Sequence, residues 1–179
     1  MKYLATALAA TLCVAAGAPA QNLTQEQALR LAFPAPLTVE RRTAYLDAAQ
    51  IARAQQLAGS KQINQRVVTY YVGLDKGRLA GTAYFDSHRV RTHNEVLMIV
   101  VDPEWKIERV EVLRFAEPPE YRASAQWLEQ FDDKRLSQEL SVKRGIVPIT
   151  GATLTANAVT SAARRILALH AIIASSGKR

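Results

Sequence analysis

The most regular hydrophobic pattern lies near the C-terminus. Between about Ala156 and Ala174, Val159, Ala162, Ala163, Ile166, Leu169, His170 and Ile173 fall on one stripe, which predicts a long helix packed on a sheet. Shorter helical patterns come early. Thr24 with Gln27 reads as a capping box for a helix over Thr24–Leu31, ended by Phe33-Pro34-Ala35-Pro36. Asp47 with Gln50 starts a second helix, with Ile51, Ala54 and Leu57 or Ala58 on one face and Gly59 as its stop. Glu40–Ala44 reads as a turn or a further helical piece.

The rhythm then becomes that of strands. Arg66–Val72 is β-branched and aromatic, Asp75-Lys76-Gly77 is a turn, and Arg78–Phe85 returns. Val96–Val101 is apolar throughout, which predicts a central strand covered on both faces. After Asp102–Trp105 turns the chain, Lys106–Leu113 alternates like a strand with one wet face. Phe115–Tyr121 is a loop stiffened by Pro118 and Pro119, and Ala123–Phe131 reads as a short helix with Trp127 and Phe131 at i, i+4. The order predicts an α+β single domain: an antiparallel β-sheet packed with a long C-terminal helix and short N-terminal helices.

The first residues change the compartment. Met1-Lys2 is positive, Tyr3–Ala16 is apolar or small, and Ala18-Pro19-Ala20 fits a small-x-small cleavage site. Residues 1–20 therefore read as a signal peptide cleaved after Ala20, the apolar run being short of the ~20 residues of a spanning helix. No other stretch reads as apolar enough to span. The remaining part, about 160 residues, is enough for one domain with a core. The one cysteine, Cys13, falls inside the signal, which excludes disulfides, thiolate metal sites and iron–sulfur clusters from the mature part. The three histidines are scattered, so no metal site is expected.

Net charge is +7, and its placement is uneven. No acidic residue follows Glu139, whereas Lys143, Arg144, Arg164, Arg165, Lys178 and Arg179 do. A basic segment favours an anionic partner. Without interleaved aromatics, and in an exported chain, nucleic acid is not that partner. For Arg164, Arg165 and the tail of residues 175–179, a solvated helix face is the expected role.

In that segment stands Thr150-Gly151-Ala152-Thr153-Leu154-Thr155, at the start of the long helix. Two roles suit it. Threonine is favoured as a helix cap, the commoner reason for hydroxyls at such a place. Alternatively, unpaired N–H groups, the helix dipole and bare Gly-Ala backbone seat a phosphate. A Thr153 nucleophile lacks a base nearby in sequence, so a hydrolase is not supported.

The six residues resemble the flavinylation motif of the FMN-binding domain family, which includes periplasmic subunits of the sodium-pumping NADH:quinone reductase and of the RNF complex. The resemblance runs over roughly residues 66 to 172 and includes Glu117-Pro118-Pro119, similar to the family's Glu-Thr-Pro-Gly loop, and the aromatic helix of Trp127 and Phe131. It implies an FMN-binding domain over 63–174 after a helical segment at 21–62. It also implies FMN joined to Thr153 by a phosphoester that a separate flavin transferase makes, and an electron-transfer role in the periplasm with a redox partner at the membrane or a soluble carrier. Thr150, Gly151, Ala152, Leu154, Thr155, Glu117, Pro118, Tyr121, Trp127 and His93 are the residues expected around the flavin. Two positions depart from the pattern: Val147 stands where the motif has an acid, and Pro119-Glu120 where the loop has Pro-Gly. The alternative is a non-redox binding or assembly module of the same fold, holding an anionic ligand or partner.

Overall fold

The computed structural model describes residues 22–176. The expected signal, Met1–Ala20, and Gly177–Arg179 of the basic tail lie outside the described residues.

Both N-terminal capping boxes form. Thr24 and Gln27 exchange hydrogen bonds at the start of helix α1, Gln25–Ala32. Asp47 and Gln50 do the same for α2, Ala48–Ala58, which Gly59 ends at φ +66°. Five strands follow one another in a single antiparallel meander: β1 Thr38–Tyr45, β2 Val67–Asp75, β3 Arg78–Arg89, β4 Asn94–Val101 and β5 Ile107–Phe115. β1 corrects the expected turn or helical piece at Glu40–Ala44. It pairs with β2 from Thr38↔Leu74 to Tyr45↔Val67, so the N-terminal segment is not wholly helical. Its side chains are almost all exposed, and Glu40, Arg41 and Arg42 guard a sheet edge that would otherwise invite pairing.

Helices cover both faces of the sheet. Leu97, Ile99 and Val101 of β4 join the core with Ala54 of α2 and residues of the last helix, α4, Thr153–Ser176. Met98 and Val100 point the other way, to Ala28 and Phe33. β4 is thus buried on both sides, as its unbroken apolar run requires. Gly73 lets the Phe33 ring rest on β2, since a Cβ there would overlap it.

α4 begins three residues before the predicted start and buries Val159, Ala162, Ala163, Ile166 and Leu169. Each large aliphatic side chain so buried stabilises the fold by roughly 1.5–3 kcal/mol. Contrary to expectation, this helix is long and apolar enough to cross a bilayer, but 61% of its apolar window is buried in the fold. His170 is a satisfied core residue: Tyr84 Oη lies 3.0 Å from its Nδ1, and burial pushes its pKa down to about 4, so it is neutral. The expected helix at Ala123–Phe131 is shorter. α3 covers Ala125–Leu128, with Ser124 accepting from the Trp127 N–H, and a 3-10 turn continues over Glu129–Phe131.

Arg164 and Arg165 also depart from expectation, because neither is a solvated surface charge. Arg164 donates to the carbonyls of Ala58, Ser137 and Leu140, tying the C-terminal end of α2 to the chain before the motif. Arg165 is buried and donates to Asp86 at 2.7 Å and to Gln62 at 2.9 Å. Asp86 in turn meets His88 Nδ1 at 2.7 Å, and His88 Nε2 meets Glu95 at 3.1 Å. Burial disfavours the charged His88 ring, but Asp86 and Glu95 outweigh it and raise its pKa. Burial likewise opposes ionisation of Asp86, yet His88 and Arg165 hold its pKa below the ordinary value. The cluster pins α4 across β3 and β4.

Candidate functional site

The chain reaches α4 through a fixed turn. The Val147 N–H donates to Gln130 Oε1 at 2.8 Å, and the Val147 carbonyl accepts from the Trp127 indole N–H at 2.8 Å. Its backbone is therefore held while its side chain is 67% exposed. Gly151 then takes φ +78°, a conformation costly for other L-residues, and the Ala152 N–H closes on the Ile149 carbonyl. Thr153 is the first residue of the helix.

The three threonines have different surroundings. Thr150 is exposed in the turn. Thr155 is buried, and its hydroxyl donates to the Tyr121 carbonyl at 2.7 Å, joining α4 to the loop after β5. Thr153 is exposed at the helix tip, and its hydroxyl makes no hydrogen bond with any described residue. Side chains cap the other three helices: Thr24, Asp47 and Ser124. Among the described residues none accepts from the first N–H groups of α4. The threonines thus do not serve as caps, and the unpaired N–H groups and positive dipole end are open to an anion.

A cavity of about 200 Å³ lies in front of this tip, lined by Gly151, Ala152, Thr153, Leu154 and Thr155, with Val90, Arg91, Glu117 and Tyr121 opposite. The Glu117 carboxylate holds the opposite wall in place. It accepts from the backbone N–H groups of Arg91 at 3.1 Å, Thr92 at 2.5 Å and His93 at 2.7 Å. Those donors, His93 first, lower its pKa to about 2 against the cost of desolvation. Such a group stays ionised and is not a general acid. Arg91 contributes the cation of the cavity, and its guanidinium pairs with no acidic side chain among the described residues.

Four residues expected around the flavin lie off the lining. His93 has a 60% exposed side chain, 3.5 Å from the outer oxygen of Glu117. Pro118 is exposed ahead of the 3-10 turn Pro119–Tyr121. Trp127 packs edge-on to Phe131 and braces Val147, and Thr150 flanks the turn. Val90 and Arg91 are lining residues that the sequence reading missed. They arrive through the β3–β4 hairpin and the grip of Glu117, and both are long-range effects.

The hold of Glu117 gives a measurable expectation. Its depressed pKa means its contribution is present above 4.5, the ordinary value, and is lost as pH falls through about 2. Amide NMR shifts of Arg91, Thr92 and His93 should move together over that window. In Glu117→Gln they should differ already at neutral pH, with no joint acid transition.

Residues 92–168 match the FMN-binding domain family. That span takes in β4, the Glu117 loop and the helix that begins at Thr153. Among solved structures, the crystal structure of Shewanella oneidensis NqrC is similar with a TM-score of 0.54 and 17% identity, over 74% of this chain and 79% of that one. The likeness is one of fold. No curated protein is significantly similar in sequence. The match to the FMN-binding domain family over residues 92–168 thus coincides with an antiparallel sheet-and-helix fold similar to that of NqrC.

Proposed function

We propose that this chain is an exported electron-transfer flavoprotein with FMN joined through its phosphate to the Thr153 hydroxyl. The observation that carries the reading is the exposed, unpartnered Thr153 side chain on an uncapped helix start, facing a cavity with a free arginine. The phosphate suits the unpaired N–H groups and Arg91, and Gly151 and Ala152 leave room for it. When bound, FMN supplies the electron-transfer chemistry, and the protein binds, orients and tunes it. Attachment forms an O–P bond to Thr153, breaks the phosphoanhydride bond of a flavin dinucleotide donor, and releases its nucleoside monophosphate together with the hydroxyl proton. Thr153 has no base beside it in sequence to drive this unaided, which supports the need for a flavin transferase. The redox partner is at the membrane or a soluble carrier, and the compartment is the periplasm, with Met1–Ala20 as the cleaved signal.

The test is production in the periplasm with a flavin transferase. A yellow chromophore that survives denaturation and gel filtration supports the reading, and a colourless protein contradicts it. Val147 favours a second reading, a non-redox module of the same fold, because the motif's acid is missing there. The two separate on Val147→Asp. The exposed side chain tolerates the change, so the fold should be unaffected, within about 0.5 kcal/mol. If the missing acid limits the transferase, the flavin-to-protein absorbance ratio should rise several-fold. No rise from a low level supports the non-redox module.

A further inference from the structure

The two edges of the sheet differ. β5 is covered by the chain itself: the Leu23 N–H donates to the Leu113 carbonyl, the Ile107 N–H donates to the Lys134 carbonyl, and the Ile107 carbonyl accepts from the Asp133 N–H. β1 ends the sheet on the other side, and no described segment bonds to its outer backbone edge. Beside it a concavity of about 690 Å³ runs between α1 and the strand, with Leu29, Phe33, Leu37, Val39 and Arg41 in its walls. Three large apolar side chains stand uncovered on that face: Val39, Tyr45, which is 78% exposed, and Val67, which pairs with Tyr45 from β2.

Charge keeps indiscriminate strands off β1, yet the charges have an order. Glu40 and Arg42 share one face of the strand and pair at 2.7 Å. A second copy pairing antiparallel along this edge is related by a two-fold axis through the sheet, which keeps each face on its own side. The register must then centre on one residue that meets itself. A centre at Glu40 opposes two carboxylates, and a centre at Arg42 opposes two guanidiniums, both destabilising. Centres nearer either end, at Val39 or Thr43, forfeit every contact between Glu40 and Arg42 and shorten the match. A centre at Arg41 sets Glu40 of each copy opposite Arg42 of the other, Val39 opposite Thr43, and Thr38 opposite Ala44. Its one like pair is Arg41 with itself, and long exposed stems let those two charged heads diverge into water. The same register brings Tyr45 to Leu37 of the other copy, at the wall of the concavity, so apolar surface open in one copy is covered by its twin. We propose that β1 is a self-association edge, through which two copies of this chain join, centred on Arg41, into one continuous sheet. The proposal is independent of flavin attachment.

Sedimentation equilibrium of the purified protein should show a monomer–dimer equilibrium that weakens as salt is added. Arg42→Glu and Glu40→Arg each set like charges opposite one another at both ion pairs, and each should weaken the dimer by roughly tenfold or more. Mixed together, the two variants complement each other and should form a heterodimer of about the parent's affinity. In a Cys13→Ser background, oxidised Arg41→Cys should cross-link into a covalent dimer, because residue 41 alone meets itself. Thr43→Cys faces Val39 and should not. All four β1 substitutions are at exposed side chains, so the fold is retained, as circular dichroism should verify. A parent protein that stays monomeric at every concentration would overturn the proposal. So would a dimer that the single charge reversals leave intact, or cross-linking at Thr43→Cys equal to that at Arg41→Cys.

Discussion

Thr153→Ala is expected to abolish covalent flavin retention and to leave the fold unchanged. The hydroxyl is exposed and unpartnered, so its removal breaks no internal bond. Alanine is the better helix former, so stability should stay within about 0.5 kcal/mol of the parent. The loss should therefore be complete in covalent flavin and absent in thermal unfolding. Thr153→Ser keeps a hydroxyl at the helix tip and should keep much of the loading. The neighbouring threonines provide contrast. Thr150→Ala should load normally. Thr155→Ala should also load, but it leaves the Tyr121 carbonyl without its donor, at about 1–3 kcal/mol. A phosphoester retained in Thr153→Ala would mean that the adduct is on another residue.

The largest effect on stability is expected from Arg165→Leu. Arg165 has an 8% exposed side chain and Asp86 a 12% exposed one, so the pair is shielded from solvent. Removing the guanidinium leaves Asp86, His88 and the wholly buried Glu95 with one cation among two carboxylates. Glu95 Oε1 already has no partner among the described residues, so the cluster has no spare donor to compensate. Breaking one side of a buried pair typically destabilises by about 3–5 kcal/mol, and denaturant unfolding should show a loss in that range. The double variant Arg165→Leu, Asp86→Leu should recover a large part of it, since no unpaired charge then remains at that point. A loss under ~1 kcal/mol in the single variant would show that solvent reaches the pair.

Local signals in the sequence were legible because their causes are local. The Thr24–Gln27 and Asp47–Gln50 boxes and the Gly59 stop lie within one turn of the helix ends they set. The unbroken run of β4 declared its burial on both faces. β1 was hidden because an edge strand exposed on both faces has no apolar alternation to betray it, and Glu40, Arg41 and Arg42 look like turn or helix surface. Arg164 and Arg165 looked like solvated charges because their partners, Ala58, Ser137, Leu140, Asp86 and Gln62, lie far away in sequence. The site divides the same way. Gly151–Thr155 is contiguous and carried its own signature. Val90 and Arg91 become neighbours of Thr153 only after β3 and β4 pair and Glu117 captures the loop between them.

The most direct measurement is tandem mass spectrometry of the tryptic peptide Gly145–Arg164 from protein produced with a flavin transferase. That peptide holds Thr150, Thr153, Thr155, Thr160 and Ser161, so its fragment ions separate every competing hydroxyl near the helix start. FMN phosphate on Thr153, with the other four unmodified, is the predicted result. An adduct on any of those four, or an unmodified peptide from protein that is yellow, would contradict attachment at the tip of α4.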